Sequence, residues 1–431
     1  MKFQIQKKTL VEAIDKMHEV ATKGIKTDFK LAFRIRIEAV GKDAIVSATN
    51  GHLFASCTVP CESVEEVGSV VVDASVGREN FRALGGHRAD GHKIEVKLTD
   101  KSLNIRDIDC KNRRWARMQT VSQDHSFTIK QKKGSSYTMP STDLVPSLLS
   151  ISKYHAPTQY DPMYSMLCVH FLTDETRYIC GDGMRFVVQC CPNRTDIEVE
   201  DQDKGDKWVI PADQASIIAN VVSFPDVTDV TLTFPDKKSC IVKAGNVLMH
   251  LKGIPELDYI QYDLHSFRFD EAKAVIYVSC EDMLDALAST RASRDKEMEK
   301  EGDFHKCELH AEEDGMLGFK VSQGKYQSEF ECPMEFYKGS VDKFDAIYSW
   351  LFLNDTATAT SHEYIRLFAI DPEGIMIAEP LDIMPTDDKG EFEADERVSI
   401  KCPARKMDDS DKYAPRLIFF FAAVSEEEED G

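Results

Sequence analysis

The chain has 431 residues, more than one ordinary core accommodates, and fits roughly two to four domains. Its hydrophobic content of 42% suits a globular protein, no apolar run reaches the ~18 residues of a membrane span, and the charged first twenty residues predict a chain without a secretory leader. The formal charge of −21 excludes a protein coated in nucleic acid but allows a segregated surface, because nine basic residues oppose four acidic ones up to residue 36 while the end, SEEEEDG, is strongly negative.

In chain order, a first domain over residues 1–125 opens with a strand at Lys2–Gln6 and a helix from Thr9, with Thr9 and Glu12 as a capping box. Leu10, Ile14, Met17 and Ala21 share one helix face, leaving Lys8, Lys16 and Lys23 on the rest. Strands are expected over 31–38, 44–48 and 52–59. A second helix over 75–84 turns Phe81 and Leu84 inward and Arg78 and Arg82 outward, and strands near 93–98, 102–106 and 115–119 follow.

The second domain, residues 126–265, starts after a polar hinge ending near Lys132, Lys133 and Gly134. Its first helix points Leu144, Leu148 and Ile151 inward and is expected to hold Pro146 in its first turn; its second, over 211–222, has no lysine or arginine. The third domain, residues 266–431, has a first helix with Ser279 and Asp282 as cap and Met283, Leu284 and Leu287 as core face. A stretch over 385–415, rich in Asp, Glu, Lys and Pro, reads as an inserted loop before a terminal strand over 417–424 and an acidic tail over 425–431.

These three parts repeat one another. Gly51, Gly183 and Gly324 each precede a proline by nine residues, in GHLFASCTVP, GMRFVVQCCP and GKYQSEFECP, with a cysteine near each end. Leu10, Leu144 and Met283, the first apolar residues of the three leading helices, lie 41, 39 and 41 positions before those glycines. A strand and a second helix follow each proline, in SVVVDASVGRENFRAL, DKWVIPADQASIIANVV and CPMEFYKGSVDKFDAIYSWL. A unit of roughly 130 to 140 residues is far longer than a solenoid repeat, so each copy is expected to be a domain.

The chemistry-bearing patterns are sparse. No Walker loop, GxGxxG, HExxH or GxSxG occurs. The turn at Gly181, Asp182 and Gly183 precedes a strand and so lacks the helix N-terminus that holds an anion. His87, Asp90 and His92 in GGHRADGH fit either a metal or a polar loop. Twelve cysteines without a CxxC pair suit buried, reduced thiols of a cytoplasmic protein. No catalytic residue, cofactor or metal site is expected, and the chain is not read as an enzyme.

Three such copies point to architecture. With paired helices on one side of a curved sheet, copies joined edge to edge place six helices on one concave face. That face carries Lys16, Lys23, Lys26, Lys30, Arg78, Arg82, Lys153, Arg291, Arg294, Lys296 and Lys343, side chains suited to phosphate. A symmetric second copy would close the arc and satisfy the sheet edges.

MKFQI with the helix TLVEAIDKM, the GDGMRFVV run, the VIP before the second helix of the second domain, and LKGIPELDY carry a family resemblance. The chain resembles the bacterial-type DNA sliding clamps, the β subunit of DNA polymerase III, in order and spacing from Met1 to about Val424. The resemblance implies an α+β fold of three DNA-clamp domains, each with two helices packed on curved antiparallel sheets. It implies a homodimeric ring around duplex DNA, loaded by an ATP-dependent clamp loader complex, and a non-catalytic processivity factor for the replicative DNA polymerase. It also implies a hydrophobic pocket that docks partner peptides. By position the pocket is Tyr164, Gly181, Gly183, Met184, Arg185 and Phe186, then Leu257 and Tyr262, then Val341 and Phe344, and finally Ile418, Phe420, Phe421, Ala422, Ala423 and Val424. The chain departs from the family in its FFAAV and acidic ending, which leaves peptide specificity open. It departs again at Ala212 and Asp213, where a family basic residue is replaced and the channel is expected to be less positive. A non-ring β-rich structural or virion protein of three repeats predicts the same periodicity and stands as the alternative. A cysteine enzyme would require a thiolate of lowered pKa near a base.

Overall fold

The computed structural model describes residues 1–25, 32–84, 91–100, 102–110, 114–121, 129, 132–156, 162–194, 197–199, 204–225, 227–255, 259, 269–290, 306–312, 314–323, 326–358, 363–370, 375–381 and 416–421. The first copy of the repeat runs β1 (Lys2–Gln6), α1 (Lys7–Thr22), β2 (Arg34–Val40), β3 (Asp43–Thr49), β4 (Leu53–Pro60), β5 (Ser63–Glu66), β6 (Gly68–Asp73), α2 (Ala74–Ala83), β7 (Lys93–Thr99), β8 (Ser102–Asp107) and β9 (Arg114–Gln119). The second runs β10 (Ser135–Pro140), α3 (Ser141–Ile151), β11 (Met166–Phe171), β12 (Glu175–Gly181), β13 (Arg185–Pro192), β14 (Asp206–Pro211), α4 (Ala212–Val222), β15 (Asp229–Asp236), β16 (Ser239–Ala244) and β17 (Val247–Lys252). The third runs β18 (Ala274–Ser279), α5 (Cys280–Thr290), β19 (Lys306–Ala311), β20 (Met316–Gln323), β21 (Tyr326–Gly339), β22 (Ala346–Ser349), α6 (Trp350–Thr358), β23 (Tyr364–Ala369), β24 (Met376–Leu381) and β25 (Arg416–Phe421). Twice in every copy a strand passes straight into a helix.

The glycine-to-proline spacing has a structural cause in two copies. Gly51 and Gly183 hold φ of 97° and 98°, a region open to glycine, and β4 and β13 each begin two residues later and end on the proline. Asn50 and Asp182 occupy equivalent positions. The side-chain oxygen of Asn50 accepts from the backbone N–H of His52 and Leu53, and that of Asp182 from Met184 and Arg185. In the third copy the strand continues through Pro333 to Gly339. Its first half pairs with β20 and its second with β18, so the proline sits where the strand changes partner.

Several local expectations need correction. α1 starts at Lys7, before the expected capping box, with Gln6 as N-cap and no side-chain cap; the Lys7 N–H donates instead to His92 O at 2.9 Å. Pro146 lies in the interior of α3, because that helix begins at Ser141, three residues ahead of its first buried apolar side chain, Leu144. In the third copy residues 341–344 form only a 3-10 turn, and the second helix is α6. The cap at α5 is as expected, with the Asp282 N–H donating to Ser279 Oγ at 3.3 Å. The 385–415 insert and the acidic tail lie outside the described residues.

Packing divides the chain into two compact units, one of Met1–Ser152 with Trp208–Leu257, the other of Lys153–Lys207 with Asp258–Gly431. In the first unit, a sheet ordered β5-β1-β7-β8-β9 and an eight-stranded sheet ordered β10-β15-β16-β17-β4-β3-β2-β6 carry α1 against α2 and α3 against α4. Leu10, Ile14, Met17 and Val20 of α1 are fully buried, each contributing roughly 1.5–3 kcal/mol. In the second unit, antiparallel pairing runs in the order β11-β12-β13-β25-β24-β23-β18-β21-β20-β19-β22, with α5 packed on α6.

Each unit contains a junction between copies, and the two junctions are alike. β4 of the first copy pairs with β17, the last strand of the second, from Leu53↔Leu251 to Cys57↔Val247. β13 of the second copy pairs with β25, the last strand of the third, from Arg185↔Phe421 to Cys190↔Arg416. The strand that follows the repeated glycine therefore receives the closing strand of the next copy. This backbone pairing explains why the second copy is shared between the two compact units.

Candidate nucleic-acid and partner interface

The basic side chains expected on the helices are held in different ways. On α2, Arg78 Nε lies 2.9 Å from Asp15 Oδ1 of α1, and Arg82 reaches Asp15 Oδ2 through Nη2 at 2.7 Å and Nε at 3.2 Å. One carboxylate thus holds two guanidiniums, and Arg82 stays half exposed at 51%. Lys23 is exposed and pairs with Glu19 at 2.6 Å. Lys153, just past α3, is exposed with Nζ 4.9 Å from the Tyr154 ring centre. Lys343 lies on the 3-10 turn and pairs with its neighbour Asp342 at 2.7 Å.

Lys16 corrects the expectation of a surface charge. It is buried, with Nζ 3.9 Å over the ring of Phe224, the residue two places past α4. α1 packs against both α2 and α4, so its buried arc is wider than the Leu10, Ile14, Met17 and Ala21 stripe and takes in Lys7, Ala13, Lys16 and Val20. Lys26, Lys30, Arg291, Arg294 and Lys296 lie outside the described residues.

The six helices among the described residues are more acidic than the basic face expected from the sequence. They carry Lys7, Lys8, Lys16, Arg78 and Arg82 against Glu12, Asp15, Glu19, Glu79, Asp143, Asp213, Glu281, Asp282, Asp285 and Asp355. All the basic members are in the first copy. In the sequence, however, basic residues follow the leading helix of every copy: Lys23 and Lys26, Lys153, and then Arg291, Arg294 and Lys296.

The residues carried over to a peptide pocket divide by burial. Tyr164, Met184 and Phe186 are half-buried and Gly183 is exposed, all around the β12–β13 turn. A Cβ built on Gly183 would sit 3.1 Å from the Tyr164 ring, so this turn and ring are fitted to one another. Across the copy junction Phe186 faces Phe420 in register, with ring centres 6.3 Å apart. Gly181, Phe344, Ile418 and Phe420 are buried, the last at 7% exposure. Val341 opens the 3-10 turn and Phe421 ends β25. Leu257, Tyr262, Ala422, Ala423 and Val424 lie outside the described residues.

Arg185 is not an open ligand contact. Its Nε meets Asp182 at 3.0 Å and its Nη1 meets Asp355 of α6 at 2.7 Å, while the guanidinium lies 4.4 Å from the Phe352 ring centre and 5.1 Å from that of Tyr154. It ties α6 to the β12–β13 turn from beneath. Sequence reasoning missed Tyr154, Phe352, Asp355 and Phe419, which complete this cluster; Phe419 meets Tyr154 edge-on at 5.7 Å. Phe352 and Asp355, three apart, were the available signal, since that spacing puts both on one face of a helix. Burial raises the Tyr154 hydroxyl above the ordinary tyrosine range, and its oxygen has no hydrogen-bond partner among the described residues.

Two chemical alternatives can be weighed on geometry. Burial pushes Cys180, Cys307 and Cys332 up to about 12 and Cys61 up to about 11, the opposite of what a nucleophilic thiolate needs. Of the histidine-rich loop, His92 pairs with the buried Asp107, Nδ1 to Oδ2 at 2.9 Å, while His87 and Asp90 lie outside the described residues. No described helix is long and apolar enough to cross a membrane.

No family model and no curated protein matches the chain. Solved structures do. The DNA polymerase III subunit beta of Pseudomonas aeruginosa superposes with a TM-score of 0.75 at 13% identity, over 99% of this chain and 100% of that one. A putative DNA polymerase III beta subunit from Eubacterium rectale gives 0.74 at 13% identity, over 99% and 100%. The Thermotoga maritima DNA polymerase III beta subunit gives 0.74 at 13%, over 98% and 99%. The chain has the α+β fold of these sliding clamps, matched across all three copies of the repeat.

Proposed function

We propose that the chain is a DNA sliding clamp: three clamp domains, bounded near residues 125 and 265, that close as a homodimer into a ring around duplex DNA. The observation that carries this is the junction rule. β4 receives β17 and β13 receives β25, so β21 of the third copy calls for the closing strand of a following copy. Residues 326–333 of β21 pair with β20 alone, and β9, the closing strand of the first copy, pairs with β8 alone, among the described strands. Both free edges carry an exposed aromatic, Phe330 at 41% and Trp115 at 66%. A second chain placing its β9 on β21, and receiving the reverse, satisfies both edges twice with a two-fold axis and leaves a closed ring.

Such a ring holds DNA by topology, so its inner surface needs only weak, sequence-blind attraction. The acidic helix set supports a reading in which the first copy's Arg78 and Arg82, with the basic segments after each leading helix, supply that attraction. The protein would act without catalysis as a processivity factor, loaded by a clamp loader and tethering the replicative polymerase. Partner peptides would dock by apolar side chains beside Tyr164, Gly183, Met184 and Phe186, over the Arg185 cluster that keeps the turn rigid.

The test combines light scattering with retention on nicked circular and linear duplex DNA after loading. Two chains per particle, retention on circles and run-off from linear ends are expected. Trp115→Glu or Phe330→Glu should give monomers that no longer stay on circles. A wild-type monomer with equal retention on both DNAs would overturn the ring and favour a non-ring structural protein.

A further inference from the structure

Asn50 and Asp182 stand at equivalent turns, and each has one side-chain atom left over. One oxygen of each accepts two backbone N–H groups of its own turn. The second oxygen of Asp182 takes Arg185 Nε at 3.0 Å, and Arg185 in turn reaches Asp355 on α6. Asn50 has an amide nitrogen in that place. It donates to Gln214 Oε1 of α4 at 2.9 Å and to the backbone oxygen of Lys23 at 3.0 Å. A repeat position that is a carboxylate in the second copy and an amide in the first therefore matches what it holds, a cation in one and two oxygens in the other.

Gln214 continues the network. Its Nε2 donates to Gly24 O and to Asp213 Oδ2, both at 3.1 Å. Every polar atom of the two amides is thus paired, and Asn50 and Gln214 are 0% and 1% exposed. A buried polar network satisfied throughout is rigid. Gly24, at a φ of 54°, leaves room for it, because a Cβ there would fall 2.5 Å from Gln214 Nε2. The captured oxygens, of Lys23 and Gly24, lie just past the last turn of α1, where carbonyls lack intrahelical partners. On the other side the Lys23 N–H donates to Glu19 O at 3.2 Å. The backbone at Lys23 is therefore fixed from both ends while its side chain stays 54% exposed.

We propose that Asn50 and Gln214 are positioning residues for DNA, holding the backbone at Lys23 so that its ammonium meets a phosphate from an ordered segment. This rests on the clamp reading, in which basic residues after the leading helices supply the attraction. A lysine whose backbone is already ordered gives up less freedom on binding. Its exposed pair with Glu19, at 2.6 Å, is weak enough to yield to a phosphate. In this way α4, which carries no lysine or arginine of its own, contributes to the first copy's hold on DNA.

Asn50→Asp keeps the turn, as Asp182 does, and loses both donated bonds; Gln214→Met keeps the side chain's length and loses its polar contacts. Fluorescence anisotropy with a labelled linear duplex, from about 50 to about 200 mM salt, is read on full chains whose circular dichroism matches the wild type. Lys23→Ala is expected to flatten the slope of log affinity against log salt by about 0.9, one phosphate contact, so that its affinity deficit narrows about threefold over that range. Each network variant is expected to flatten the slope equally, and adding Lys23→Ala to it to change nothing more. A merely structural network would lower the melting temperature and leave the slope alone. That result, or a further loss on adding Lys23→Ala, overturns the proposal. A Lys23→Ala protein with the wild-type slope overturns it too, and leaves the clamp reading standing where the wild type stays on circles. A wild type without salt-dependent duplex binding overturns both. Gln214→Glu, of the same shape, replaces a network variant that fails to fold, under the same criteria.

Discussion

Asp15 sets how strongly the first copy's helices can attract a phosphate. Its carboxylate takes Arg78 on one oxygen at 2.9 Å and Arg82 on the other at 2.7 Å, so both guanidiniums are partly neutralised before any DNA arrives. Asp15→Asn removes that charge and keeps the side chain's shape. The pairs are partly exposed, with side-chain exposures of 33% for Arg78 and 51% for Arg82, so their loss costs about 0.2–1 kcal/mol each. The gain is in DNA binding. If both arginines turn to phosphates, two more counterions are released, and the slope of log affinity against log salt steepens by about 1.8. Over a rise from about 50 to about 200 mM salt that is a further loss of roughly tenfold, on top of tighter binding at the low end. Fluorescence anisotropy with a labelled linear duplex, taken across that range, measures both quantities. An Asp15→Asn protein with wild-type affinity and slope, alongside an Arg78→Ala/Arg82→Ala double variant that also changes nothing, would refute the assignment of these arginines to DNA.

Three other outcomes are expected. Gly183→Ala forces a side chain onto a φ of 98° and against the Tyr164 ring, so a loss of about 1–3 kcal/mol in chemical denaturation should accompany weakened binding of an apolar partner peptide. Arg366 and Glu379, paired at 2.5 Å with side chains 5% and 3% exposed, form an ion pair inside the second unit. Arg366→Ala should cost about 3–5 kcal/mol by stranding the carboxylate, whereas Arg366→Met with Glu379→Leu should be near neutral in the same denaturation assay. His250 is buried without a partner for Nε2 among the described residues, and burial, then Lys252 and Lys132, lower its pKa to about 4 despite the opposing Asp236. Because the unfolded chain takes up the proton first, this contribution to stability is complete above the ordinary imidazole value of 6.5 and is lost as pH falls toward 4. Melting temperatures of wild type and His250→Leu between about pH 7.5 and about pH 5 should show a smaller acid loss in the variant.

The repeat was readable because its punctuation is local. A glycine in a left-handed turn and a proline at a strand end are set by one or two residues' own backbone preferences, as at Gly51 and Pro60 or Gly183 and Pro192. The helices were legible for the same reason, through the spacing of Leu10, Ile14 and Met17. Their edges were less so: Lys7 needs no side-chain cap because His92, some eighty-five positions away in the chain, accepts its N–H. No local rule encodes that bond.

The fate of individual charges was beyond the sequence. Lys16 and Lys23 look alike in a helical projection, yet one lies over Phe224 and the other is exposed beside Glu19. Arg185 reads as part of a surface turn until Asp355 and Phe352 arrive from α6 and bury it. The two arginines of α2 look free until Asp15 is seen between them. Periodicity identifies which side of a helix meets its nearest layer, and a second packing partner widens that side without notice.

The sequence by itself determined the threefold repeat, the strand-into-helix units and the turns that start β4 and β13, because each follows from backbone preferences and apolar spacing within a few residues. The tertiary structure decided which strands of different copies pair, and which lysines and arginines remain available. Those depend on residues far apart in the chain being brought within a few ångströms, where charge and packing energies change steeply with distance.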